Sequence, residues 1–419
     1  MTTTDKIARY LLPTYARFPI TPKRGDGSWL WDENGKRYLD FCSGIATCSL
    51  GHGHRALAEA LHRQALELTH CSNLYQIAPQ ADLAEFIVEE CVGIPGRVFL
   101  CNSGAEAIDG LIKLARRFGH ARPDKRGKPR YEVLTFNRSF HGRTLGALSA
   151  TAQEKIHRGF DPLLPGFRYL DFNDALCLQE AIRPETAAVL LEPIQGEGGV
   201  HVAKRDFLLA AARLCREHDL LLLFDEVQCG FGRSGDLMGW RSIDPDLRPD
   251  AISWAKGMGG GFPVGAFWVA DRFIVDDTTP LFSVMDAGSH GSTFGGNFLA
   301  CAAAHTVLRT IKSDDLPRNA REQEQVIRAE ISSWKHPGIC ELRGRGLLLG
   351  LGLQYPNLAT PDGLLPSIHL CNQLAEHGLL VPPAGPDTIR LLPPLNVKPE
   401  EVTHALAILR KVLDLLTND

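Results

Sequence analysis

The sequence predicts an α/β fold: a mostly parallel sheet in a large central domain, with a smaller α/β domain built from the two chain ends. Three observations predict it. Short, wholly apolar runs alternate with amphipathic helical patterns through the middle of the chain. Such runs belong to a sheet covered by helices on both faces. Residues with chemical potential stand at the ends of those runs, where ligands of open α/β sheets bind. The flanks lack this alternation. The expected bounds are 1–50 for the N-terminal contribution to the small domain, 51–312 for the large domain and 313–419 for the rest of the small one.

Taken in order, the first element is a hairpin. Gly27 to Asp40 reads as two alternating strands around Asn34-Gly35, a strong two-residue turn signal. His52 and His54 follow in a glycine-rich turn, and no cysteine or carboxylate accompanies them at zinc-like spacing. Val98-Phe99-Leu100-Cys101 reads as a strand. Ser103 then caps a helix, and Glu106 three residues later completes a capping-box pattern. The helix runs to about Phe118, with Ala107, Leu111, Leu114, Ala115 and Phe118 on one face. A basic run from Arg116 to Arg130 contains Gly119, Pro123, Gly127 and Pro129, and reads as an exposed helix end and loop. Apart from Phe118, which belongs to the helix's apolar face, no aromatic residue interleaves with its charges, which argues against nucleic acid. Strands are expected at Tyr131 to Phe136, Ala187 to Leu191, Leu220 to Phe224, Ala251 to Ser253 and Val264 to Ala270, with a helix from Asp206 to His218. After Ser313 come helices and short strands, with Arg343-Gly344-Arg345-Gly346 and Arg390-Leu391-Leu392-Pro393-Pro394.

Composition narrows the function classes. The chain has 419 residues, a net charge of -4 and 22% charged residues, so no global pull acts toward nucleic acid or an anionic membrane. No apolar run reaches membrane-spanning length. The 11 cysteines include no C-x-x-C pair and mostly sit in apolar settings, as expected of a reducing compartment. The N-terminus lacks the apolar core of a secretory signal, so a cytoplasmic location is expected and no metal site is.

The chemistry gathers around Lys256. An apolar segment, Ala251 to Ala255, leads to it, and Gly257-Met258-Gly259-Gly260-Gly261 follows. Burial disfavours the ammonium form and yields a nucleophilic amine able to condense with carbonyls. Taken alone, a strand-end lysine more often reaches water. Asn102-Ser103-Gly104-Ala105-Glu106 forms a strand-to-helix turn, whose free N–H groups suit a phosphate. Neither a Rossmann nor a P-loop signature competes for that role. Asp225 ends an apolar strand and could hold the protonated nitrogen of a pyridine ring. A Walker B strand is the competing reading, and no Walker A loop accompanies it.

Six motifs in order carry a family resemblance: Asn102 to Ala107, Phe140-His141-Gly142-Arg143-Thr144, Glu192 to Gly199, Phe224 to Arg233, the Lys256 run, and Gly288 to Asn297. Together they resemble the class III, ornithine-type, pyridoxal-phosphate aminotransferases, across nearly the whole chain from Trp31 to Pro394. The resemblance implies fold type I with a seven-stranded sheet, pyridoxal 5'-phosphate as cofactor and an obligate homodimer with shared sites. It implies that Lys256 forms the Schiff base and shuttles the proton, and that Asp225 pairs the ring nitrogen. Phe140 and Val227 would flank the ring, Glu226 would be among the cofactor-binding residues, and Gln228 would reach the ring hydroxyl. Ser103, Gly104 and Ala105 would hold the phosphate with Thr293 of the partner, and Ser292 would lie beside it near the substrate. Arg143 would take the α-carboxylate of the amine donor and Arg390 that of glutamate, with Glu197 masking Arg390 when the donor is bound.

Asp225-Glu226-Val227-Gln228 and Gly288 to Gly296 are most similar to the branch acting on N2-acetylornithine, with 2-oxoglutarate as acceptor. Ornithine, succinylornithine, succinyldiaminopimelate and 4-aminobutyrate remain alternative donors. An aminomutase of the same fold and a non-catalytic cofactor binder remain open as other classes. Two departures stand out: Ala107-Ile108-Asp109-Gly110 where the family more often has Ala-Asn-Glu, and Gly51-His52-Gly53-His54-Arg55 in place of the usual Gly-His-Cys-His-Pro.

Overall fold

The computed structural model describes residues 1–275, 278–354 and 357–417. Its centre is a seven-stranded sheet in the order Gly96–Cys101, Gly265–Ala270, Ala251–Trp254, Leu221–Asp225, Thr186–Leu191, Glu132–Phe136, Phe167–Leu170. All pairs are parallel except those of Gly265–Ala270, which runs antiparallel to both neighbours. The inner strands form because their residues are apolar on both faces. Leu221 and Leu223 join one core cluster, and Leu222 and Phe224 join the other. This two-residue alternation puts Asp225 at the C-terminal end of a strand buried throughout. Phe167–Leu170 was not expected. It reads as Phe-Arg-Tyr-Leu, is half-buried and closes one edge, so no apolar run marks it.

The helix Gly104–Ala121 covers one face. Ser103 caps it by accepting from the Glu106 N–H at 3.3 Å. The reciprocal half of the expected capping box is missing, because the Glu106 carboxylate takes the N–H and side-chain amide of Asn102 instead. The departure at 108–110 serves packing. Ile108 is fully buried in the core, and a Cβ on Gly110 would lie 2.3 Å from the Phe267 ring. The helix thus sits down onto Gly265–Ala270 only without that side chain.

The basic run after this helix is the expected exposed helix end and loop, except at its last residue. Arg130 is 6% exposed and donates to the carbonyls of Arg122 and Asp219. Its guanidinium closes the loop onto the turn at His218 and Asp219.

The two chain ends share one sheet. The hairpin Trp29–Asp32 and Arg37–Asp40 turns at Asn34-Gly35, with Gly35 at φ 81°, and Arg37–Asp40 pairs in parallel with Leu379–Leu380. The His52 turn closes against it: His52 Nε2 lies 2.7 Å from Asp40 Oδ2. A second sheet joins Ile339–Arg345, Leu348–Leu353 and Thr388–Leu391, and its register sets Arg343, Gly350 and Arg390 in one row. Among the described residues, no group of three His, Cys, Asp or Glu could hold a metal, and no helix is long and apolar enough to cross a membrane.

Candidate active site

The C-terminal ends of the central strands converge on one site. Lys256 follows Ala251–Trp254 and opens the turn Lys256–Gly259 at φ 42°, a left-handed conformation that costs a non-glycine residue about 1–3 kcal/mol. Its side chain is 23% exposed, and Nζ lies 4.0 Å from Glu197 Oε1. Burial pushes its pKa below the ordinary lysine value against the pull of Glu197, and the Arg390 guanidinium adds to the depression.

Asp225 is buried. Its Oδ1 accepts from the Val227 N–H at 3.0 Å, and its Oδ2 lies 2.7 Å from His141 Nδ1. A carboxylate only accepts, so Nδ1 carries the hydrogen. The other ring nitrogen, Nε2, is buried and, among the described residues, has no hydrogen-bond partner. His141 stood inside a quoted motif, but its link to Asp225 spans 84 residues and had no sequence signal.

Phe140 is fixed through its backbone, whose N–H donates to Glu192 Oε1 at 2.9 Å. Glu192 also takes the Gly196 N–H at 3.2 Å. Burial and the nearby Asp225 push Glu192 up to about 7, against the pull of His141. Sequence reasoning gave Glu192 no role of its own. Arg143 is exposed, with its guanidinium carbon 5.6 Å from the Phe140 ring centre.

Ser103, Gly104 and Ala105 form the start of the long helix. Among the described residues, no protein acceptor takes the N–H groups of Gly104 and Ala105. A Cβ on Gly104 would lie 2.8 Å from Val227 Cγ1, so Val227 closes over this turn. Free helix N–H groups, a buried carboxylate and a lysine amine at neighbouring strand ends fit a phosphate-bearing aromatic aldehyde.

Arg390 is held by a carboxylate fork. Its Nη1 and Nη2 donate to Glu197 Oε1 and Oε2 at 2.6 and 3.0 Å, and its side chain is 2% exposed. Burial alone would raise Glu197, but the charges of Arg390 and Lys256 overcome it and hold the carboxyl at about 2. Gln228 completes the group: its amide oxygen accepts from Arg390 at 3.0 Å and its amide nitrogen donates to Glu197 at 3.1 Å. The ion pair thus takes one N–H and one oxygen lone pair of the Gln228 amide, and the amide keeps a second of each.

Glu226 follows Asp225 at the end of the same strand. Its carboxylate accepts from the backbone of Gly239 at 2.8 Å and Trp240 at 2.6 Å, so its side chain secures a neighbouring loop. Burial pushes its pKa up to about 7. Strand alternation explains the difference, because adjacent residues leave a strand end in opposite directions. Ser292 touches its own chain, its Oγ accepting from Asn102 Nδ2 at 3.1 Å and Gly295 N at 3.0 Å. Thr293 is exposed and, among the described residues, makes no hydrogen bond to residues 103–105.

Residues 10–413 match the family Aminotransferase class-III. The acetylornithine aminotransferase of Oceanobacillus iheyensis is 43% identical over 98% of both chains. The solved N-acetylornithine aminotransferase of Stenotrophomonas maltophilia superposes with a TM-score of 0.78 at 37% identity, covering 96% of this chain and 97% of that one. The ornithine aminotransferase of Toxoplasma gondii gives a TM-score of 0.88 at 32% identity, covering 99% and 94%.

Proposed function

The chain belongs to the class-III aminotransferases, a pyridoxal-phosphate-dependent transaminase by that membership, and from this premise we propose its substrates and the work of each residue. It moves the δ-amino group of N2-acetyl-L-ornithine to 2-oxoglutarate, giving N-acetyl-L-glutamate 5-semialdehyde and L-glutamate. The observation that carries this reading is the fork of a partly buried Glu197 on the buried Arg390, beside Lys256. A site that must accept an ω-amine and then a dicarboxylate needs an arginine that can be masked and unmasked. The names of the relatives supply the donor.

Bound pyridoxal phosphate supplies an electron sink for loss of a proton beside the migrating amine. The protein's residues do the rest. Lys256 Nζ, low in pKa, takes that proton from the donor carbon and returns it later. Asp225, oriented by His141, fixes a cationic ring nitrogen. The Gly104 and Ala105 N–H groups, with Ser103 at the cap, hold the phosphate, and Phe140 and Val227 bound the ring. Arg143, exposed at the rim, binds the donor α-carboxylate bidentately. In the second half-reaction the incoming α-carboxylate replaces Glu197 on Arg390.

The assembly proposed is a homodimer. Leu74 and Tyr75 are exposed, as is Phe294 at 58%, and Asn73 bonds the carbonyls of Ser292 and Gly295, which ties the exposed segment 73–75 to the segment carrying Thr293 and supports a partner there. Thr293 and Ser292 would then serve the partner's phosphate and substrate. Full activity in a species sedimenting as a monomer contradicts this. Residues 1–50 and 313–419 are proposed to move as one small domain against 51–312, supported by their shared sheet. A cytoplasmic place in arginine synthesis follows from the donor, and a strain lacking the protein should then require arginine.

The direct test compares rates with acetylornithine, ornithine, succinylornithine, succinyldiaminopimelate and 4-aminobutyrate at equal concentration. Acetylornithine should lead. Much faster turnover of ornithine or 4-aminobutyrate sinks the donor assignment, and no glutamate formed from 2-oxoglutarate sinks the acceptor.

A further inference from the structure

The glycine-rich segment Arg343-Gly344-Arg345-Gly346 has no part in the chemistry above, yet the fold brings its first arginine to the masked pair. Arg343, Gly350 and Arg390 occupy one row across three antiparallel strands. Paired residues in such a row share a face of the sheet. That face receives the loop carrying Glu197. Val200 on this loop is fully buried at φ 56°, and a Cβ on Gly350 would lie 2.7 Å from its Cβ. The absent side chain at Gly350 is what lets the loop dock.

Arg343 ties the loop to the strand. Its Nε donates to the Gly199 carbonyl at 2.8 Å, two residues beyond Glu197. Its Nη2 donates to Thr388 Oγ1 at 2.9 Å, two residues before Arg390. The remaining nitrogen pairs with Glu341. One planar guanidinium therefore spans both arms of the Glu197–Arg390 fork, and its side chain is only 17% exposed.

We infer that Arg343 is a positioning residue that latches the 197–200 loop onto the Arg390 strand, and so sets how readily Glu197 gives up Arg390. The inference rests on the proposed masking of Arg390 and deepens it. The latch favours the masked state. Without it, Arg390 is left as a poorly paired buried cation beside an incoming ammonium, which is costly. The amine-donor half-reaction then suffers. The dicarboxylate half-reaction, which needs Arg390 free, does not.

The test follows each half-reaction separately by stopped-flow absorbance of the holoenzyme, with acetylornithine for one and 2-oxoglutarate for the other. Arg343→Gln should lower the donor-to-acceptor ratio of kcat/KM about tenfold, a size usual for residues coupled to a switch. Thr388→Val, which removes one anchor of the latch, should shift the ratio the same way, and Thr388→Ser should restore it. It also stands in should Arg343→Gln fail to fold. Equal loss in both half-reactions, or an unmoved ratio, overturns the latch. Arg390→Lys separates the two ideas: if it spares the 2-oxoglutarate half-reaction, the masking reading itself has failed.

Discussion

Single side chains decide the chemistry, and the most exposed to test is Asp225. Its two oxygens are already directed, one by the Val227 N–H and one by His141, so its charge is fixed in place before any ligand arrives. Asp225→Asn keeps the shape and removes the charge. The fold and Tm should be nearly unchanged, while kcat falls by roughly 10²–10³, the range for losing a preorganised electrostatic partner. Steady-state rates beside a melting curve check this, and near-normal turnover would remove Asp225 from the role. Lys256 and Asp225 were legible in the sequence because each ends an apolar run. His141 and Glu192 as supports were not, because their partners lie 84 and 52 residues away. Glu226 serves a different loop for a local reason: it stands beside Asp225 in the sequence, whereas a strand end sends neighbours apart.

Among the elements, the hairpin anchor and the long helix each give a measurable energy. Asp40 binds the Cys42 and Ser43 N–H groups through one oxygen and His52 through the other. The bond to Asp40, with a smaller one to Cys48, raises His52 to about 10. A histidine raised on folding stabilises fully below its ordinary value near 6.5, and the benefit is lost as pH climbs through about 10. A charged hydrogen bond of this kind contributes roughly 1.5–3 kcal/mol. Denaturant midpoints of His52→Asn should therefore fall below wild type at about pH 6 and converge with it above about pH 10. A constant gap across that range would contradict the pairing.

On the long helix, Gly110→Ala opposes two effects. Helix propensity favours alanine by about 1 kcal/mol, while overpacking costs about 1–3 kcal/mol. The 2.3 Å approach to the fully packed Phe267 makes the second larger, so Tm should drop. A rise in Tm would mean the ring moves freely aside. The inner strands and this helix were readable because their residues face apolar surroundings on every side that matters. Phe167–Leu170 was not, since an edge strand keeps polar residues.

In the whole molecule, two parts of the chain meet across one site. The large sheet presents Lys256, Asp225 and the loop of Glu197, and the second sheet near the C-terminus brings Arg390. The resemblance named both residues of that fork, but no local pattern reveals that strand pairing aligns Arg343, Gly350 and Arg390 in one row. Register is a property of the assembled sheet. The claim on which all of this depends is that the amine of Lys256 is the group that carries the cofactor. The most direct measurement is borohydride reduction of the purified holoenzyme, followed by digestion and mass spectrometry. The account predicts the pyridoxyl label on the peptide containing Lys256 and on no other. A label on a different lysine, or none on a protein that still turns over, would contradict it.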